Sequence, residues 1–179
     1  MVIKRGRKQL RLIPSVASIV IGMSVSQVQA IDTSTWKPYH DDMMGFEVKI
    51  PPGWSDANKG QGTGSQSVSF AGRLKPDRPI ATITFWIQRQ MNPRGLSIQQ
   101  WYADQMKAMK ADSIPMTEVI LGGQPAIRQD MQGHLAFFTL INKADIFEVT
   151  LTQSSSAGQQ VDSSYADIVD TVRFLSQSK

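Results

Sequence analysis

The sequence predicts an α+β fold: an antiparallel β-sheet with helices packed on both faces. Three observations carry this. Stretches of period-two alternation are interrupted once, and closed once, by stretches of helical spacing, and this segregation is the α+β pattern. The pair Gly122-Gly123 sits between two strand-like runs, where positive φ angles close an antiparallel hairpin. Leu135 to Ile141 is apolar on both sides, with Leu135, Phe137 and Ile141 on one face and Ala136, Phe138 and Leu140 on the other. A strand of that kind needs cover on both faces.

Taken in order, Trp36 to His40 reads as a first, irregular strand, and Asp41 to Gly45 as a turn. Phe46, Val48 and Ile50 then alternate with Glu47 and Lys49, so one face of the next strand is apolar. Pro51 and Pro52 lack N–H groups and end it, and Trp54 returns a large apolar surface to the core. Ser55 to Gln66 is rich in glycine and small polar residues and reads as a mobile surface loop. Ser67 to Ala71 is a short strand, and Gly72 to Pro79 a solvated connection. Ile80 to Gln88 is a strong strand, with Ile83, Phe85 and Ile87 on one face and Thr82, Thr84 and Trp86 on the other. A helix is expected from Ser97 to Ala111, opened by the Ser97–Gln100 capping box. Ile98, Tyr102, Met106 and Met109 form its apolar stripe, broadened by Trp101. Thr117 to Leu121, Gln124 to Met131, Leu135 to Ile141 and the alternation Phe147, Val149, Leu151 make a four-strand meander. After a polar loop from Gln153 to Gln160, a last helix is expected from about Asp162 to Leu175, with Val161, Tyr165, Ile168, Val169, Val172 and Leu175 on its stripe.

Residues 1–30 read as a cleavable signal peptide, and residues 31–179 as a single domain. Lys4, Arg5, Arg7, Lys8 and Arg11 make a positive start, Leu12 to Val25 is mostly apolar, and Val28-Gln29-Ala30 suits cleavage after Ala30. The apolar segment is shorter than the roughly 20 residues that span a bilayer, so no stable membrane span is expected after cleavage. The expected location is periplasmic or secreted. The formal charge of +4 belongs to the leader: residues 31–179 hold 14 basic and 15 acidic residues, a formal charge of −1. Nucleic-acid binding loses its electrostatic support there. With no cysteine in the chain, disulfides, thiolate catalysis and lipid attachment at a cysteine are excluded.

Tyr39, Gly45-Phe46 and Ile50-Pro51-Pro52-Gly53-Trp54 resemble the opening of the PsbP/Mog-like family. Leu121-Gly122-Gly123-Gln124-Pro125-Ala126 resembles its mid-domain hairpin, and Ile168 to Phe174 its closing helix. The resemblance covers nearly all of residues 31–179. It implies an α/β/α sandwich, and a binding or assembly role exercised through contacts with a protein partner. In a phototrophic source it would imply an extrinsic photosystem II subunit in the thylakoid lumen.

Chemistry is harder to find. His40-Asp41-Asp42, with Asp32 nearby, is the best cluster for a metal, but three adjacent residues cannot all point one way from a strand. His134, after Gly133, reads as an exposed turn residue, and an exported hydrolase would have to assemble its site around His40 or His134. Gly60 to Gly64 has the glycines of a phosphate loop without a following helix. No Gly-x-Ser-x-Gly elbow occurs. Glu47 and Glu148 read as solvent-facing strand residues. Arg73, Lys75 and Arg78 read as a solvated loop, and Trp36 either as a contact for a partner or as an anchor. No catalytic, cofactor-binding or metal residue is assigned from the sequence. The expected function is an exported, non-enzymatic binding or assembly protein.

Overall fold

The computed structural model describes residues 32–111, 114–153 and 161–175. The expected leader, with its cleavage after Ala30, lies outside the described residues, as does most of the polar loop expected before the last helix.

Among the described residues, ten strands form two antiparallel sheets. β1 (Lys37–Asp41), β2 (Phe46–Ile50) and β10 (Arg173–Phe174) make a small sheet in the order β1-β2-β10. The large sheet has the order β3-β4-β5-β9-β8-β7-β6. Its strands are β3 (Asn58–Gly62), β4 (Ser65–Gly72), β5 (Ala81–Gln88), β6 (Met116–Leu121), β7 (Gln124–Met131), β8 (His134–Ile141) and β9 (Asp145–Gln153). The helices among the described residues are α1 (Ile98–Met109) and the short α2 (Ala166–Asp170), which follows a 3₁₀ turn over Ser163–Tyr165.

The small sheet lies across the inner face of the large one. Phe46, Val48 and Ile50 of β2 are buried together with Phe85, Phe137, Phe147 and Val149 in the main core. Phe46 lies 5.0 Å from the Phe85 ring and 5.1 Å from the Phe147 ring, spacings at which aromatic pairs add to simple burial. Tyr165, Ile168, Val169 and Val172 close the same core and are fully buried. The outer face carries α1. Ser97 caps it with the reciprocal pair expected from the sequence: Gln100 N–H donates to Ser97 Oγ at 3.2 Å, and Ser97 N–H to Gln100 Oε1 at 3.1 Å. Ile98, Trp101 and Tyr102 pack on Ile127, Phe138 and Ile146. Met109, expected in this stripe, is exposed.

The expectation of an α/β/α sandwich with helices on both faces is overturned. Among the described residues the outer face has one helix, and the inner face is covered chiefly by the small β-sheet with the short α2 beside it. The cause lies in the chain's last segment. Its stripe has helical spacing and is buried, but the helix stops at Asp170 instead of running to Leu175. Thr171 Oγ1 donates to the Ile168 carbonyl at 2.7 Å and accepts from Lys49 N–H at 2.9 Å. A β-branched pair, Thr171-Val172, follows, and β2 offers an open edge. Arg173 and Phe174 pair with Glu47 and Phe46, and Leu175 N–H reaches the Gly45 carbonyl at 2.9 Å. β8 does have its two covers, α1 outside and the main core inside, but the second cover is not helical.

A second correction concerns Ser55 to Gln66. Instead of a loop, residues 58–62 form the edge strand β3, wholly exposed and paired to β4. Its glycines admit close approach: a Cβ at Gly60 would stand 2.6 Å from Ser67 Oγ. None of its side chains is buried, so side-chain periodicity could not reveal it.

Candidate functional site

Chemistry-bearing residues expected from the sequence do not converge. On β1, His40 faces solvent and meets Asp42 at 2.7 Å, an exposed contact. Asp41 points the other way and is 5% exposed. Its Oδ2 accepts from Tyr39 Oη at 2.8 Å and from Lys59 Nζ at 3.0 Å, and its Oδ1 from Met44 N–H at 3.0 Å. Burial alone would raise this carboxyl, but the bonds from Lys59, Tyr39 and Met44 together hold it below the usual range. It is a strut joining β1 to β3. Asp32 caps its own turn, accepting from Ser34 N–H. Among the described residues no three His, Asp or Glu side chains gather around one cation position.

His134 is not a turn residue: it opens β8 on the outer face of the large sheet, opposite Thr152. Burial lowers its pKa, which keeps the ring neutral near pH 7. His40 lies on the far side of the small sheet, so the two histidines occupy opposite surfaces and share no site. Gly60 to Gly64 belongs to β3 and its turn, with a strand following. Arg78 pairs with Asp162 at 3.0 Å, tying the connection after β4 to the C-terminal segment. Trp36 is buried in the main core, as an anchor. A groove of about 500 Å³ between β2 and α2 is lined by Glu47, Lys49, Asp167, Asp170 and Arg173, where both signs of charge stand together.

The outer face of the large sheet is different. α1 packs on β7, β8 and Ile146 at the start of β9, and the outer-face side chains of β4, β5 and the rest of β9 keep some exposure. Register places Thr82 opposite Thr152, Thr84 opposite Thr150, and Trp86 opposite Glu148 on this face. Ser67 and Ser69 of β4 continue two of those rows. Every one of these side chains keeps some exposure, and Trp86, at 37%, is the large apolar one. Glu148 stands between Trp86 on β5 and Phe138 on β8. Its Oε2 accepts from Gln88 Nε2 at 2.9 Å. Burial raises its pKa, and the Gln88 bond offsets this only in part. The sequence separates Thr82, Thr84 and Trp86 from the core face, but it treats Glu148 as an ordinary solvent-facing residue. The signal available was the tryptophan that interrupts a run of threonines.

Among the described residues no helix is long and apolar enough to cross a membrane. No family model matches the chain, and no curated protein matches it. Solved structures do match, among them the crystal structure of PA94 from Pseudomonas aeruginosa, described as a protein of unknown function. It is 15% identical, covers 66% of this chain and 83% of its own, and superposes with a TM-score of 0.36, too distant to carry an argument about fold or function.

Proposed function

We propose that the chain is an exported binding protein that docks a protein partner on the open half of the large sheet's outer face. The observation that carries this reading is Trp86, left 37% exposed on a face otherwise made mostly of threonines and serines. Tryptophan is enriched among the residues that dominate binding energy, and a surrounding ring of small polar side chains suits exclusion of water around it. The resemblance to PsbP/Mog-like proteins supports a binding or assembly role, and the apolar leader supports export to the periplasm or beyond.

The test uses the full chain as bait in an envelope extract, beside two variants of equal added charge. Thr84→Arg places a bulky cation in the open face, and Ala103→Arg places one on the exposed side of α1. The reading expects a polypeptide retained by the parent and by Ala103→Arg but lost with Thr84→Arg. If nothing retained distinguishes the two variants, the face is not the docking surface.

A further inference from the structure

The open half-face is electrically neutral except at one point. By register, β4, β5 and β9 present no lysine or arginine on it, and Glu148 is its carboxylate. Glu148 forms no ion pair with any described residue. Oε2 takes the Gln88 N–H, and no described hydrogen bond reaches Oε1. Gln88 donates through its amide nitrogen, which leaves its own carbonyl oxygen as a second acceptor beside the carboxylate. Trp86 stands directly across the strand from Glu148 with its ring partly open.

Two acceptors and an aromatic surface surround one uncompensated negative charge. A guanidinium complements that set. It is planar, carries N–H donors in a fixed fork, always holds its charge, and stacks on indole. An ammonium meets the charge but offers no plane to the ring.

We propose that Trp86, Gln88 and Glu148 form a socket for an arginine side chain of the partner. The proposal rests on the reading that the open face is the docking surface, and it names what that surface recognises. Burial already makes the lone ionised carboxylate unfavourable, so an arriving cation restores what solvent and the fold withhold.

The full chain is titrated with acetyl-Gly-Gly-Arg-Gly-Gly-amide and with its lysine and citrulline counterparts, followed by the Trp86 indole N–H and Gln88 side-chain amide resonances. Citrulline keeps the shape of arginine without the charge. The arginine peptide should shift both signals saturably, with the citrulline and lysine peptides each roughly tenfold weaker. Glu148→Gln, which keeps side-chain size, and Trp86→Leu, read from Gln88, should each weaken the arginine peptide by roughly tenfold. Glu118→Gln, on the other side of α1's footprint, should leave it unchanged. An arginine peptide that moves neither signal, citrulline binding as tightly as arginine, or a chitotriose probe shifting the indole in its place would overturn the socket. If Thr84→Arg abolishes capture of the partner but the arginine peptide does not bind, the socket fails and the docking face stands. If the peptide binds and Thr84→Arg captures like the parent, the docking face fails instead.

Discussion

Gly72 closes β4 directly beneath Trp54, and replacing it with alanine tests how tightly the two layers are joined. A Cβ at Gly72 would lie 2.5 Å from Trp54 Cδ1 and 2.7 Å from Cδ2, with Cγ nearer still. The indole cannot swing away cheaply. It is buried in the main core, its Nε1–H donates to the Arg73 carbonyl at 3.1 Å, and its ring packs 6.0 Å from Tyr165. Forcing a methyl into such a site costs about 1–3 kcal/mol. The backbone does not demand glycine, since Gly72 is absent from the positive-φ positions. Once the ring is gone, alanine should therefore stabilise the chain by up to about 1 kcal/mol through the unfolded state. Trp54→Leu opens the space at less than the about 3–5 kcal/mol of full truncation. Urea unfolding of the parent, both single variants and the double variant then gives the coupling. Gly72→Ala should destabilise the parent and change sign in the Trp54→Leu background. Equal costs in both backgrounds would refute the packing argument, because the penalty would then lie in the strand itself.

Two further outcomes follow from buried polar groups. Asp41→Asn should cost about 1–2 kcal/mol at neutral pH, as its charge-assisted bonds to Lys59 and Tyr39 weaken. Because the folded-state pKa of Asp41 is depressed, its stabilisation is present above the unfolded value of 3.8 and lost as pH falls through the folded value. Thermal melts of parent and variant should therefore keep a constant gap from pH 7 to 5 and converge in acid. Asn92→Ala should cost roughly 2–4 kcal/mol in the same urea assay. Asn92 is 2% exposed, its Nδ2 donates to the Leu96 and Lys143 carbonyls, and its Oδ1 accepts from Leu96 N–H, so truncation leaves three backbone groups of the loop before α1 and the β8–β9 turn without partners.

What was legible in the sequence was what side-chain period encodes. The alternations of β2, β5 and β9, the doubly apolar run of β8, the strand after Gly122-Gly123 and the capping box of α1 appear within a residue or two of their observed places. The hairpin at Gly122-Gly123 is closed by φ angles of 56° and 86°, as a glycine pair suggests. Three things were hidden. β3 has no buried side chain, so its pairing leaves no apolar pattern. The final segment has a helical stripe, yet the open edge of β2 draws Arg173 and Phe174 out of the helix, and Phe174 settles over Gly122, where a Cβ would meet its ring at 2.8 Å. That contact joins the hairpin to the C-terminal segment, two stretches the sequence shows only separately. The candidate site was hidden because it is defined by what α1 does not cover, and no local pattern reports the lateral position of a helix on a sheet.

The extent of that uncovered surface follows from dimensions. Strands lie about 4.8 Å apart, so seven of them span close to 30 Å, whereas a helix with its side chains is about 10–12 Å wide. One helix cannot roof such a sheet. The sequence is written to match. Beneath α1 the outer-face positions are Ile127, Phe138 and Ile146, and beyond it they are Ser67, Ser69, Thr82, Thr84, Thr150 and Thr152. Hydroxyl side chains, with threonine adding high strand propensity, make an open sheet face that tolerates water. Trp86 and Glu148 depart from that scheme in opposite ways: one exposes apolar area, the other half-buries an ionisable group that has no ion-pair partner among the described residues. Because the folded-state pKa of Glu148 is raised, its unfavourable contribution is absent below the unfolded value of 4.5 and complete above the folded value. The two residues are cross-strand neighbours. Both stand at one point of an otherwise water-tolerant face, and that coincidence is what the proposed docking surface rests on.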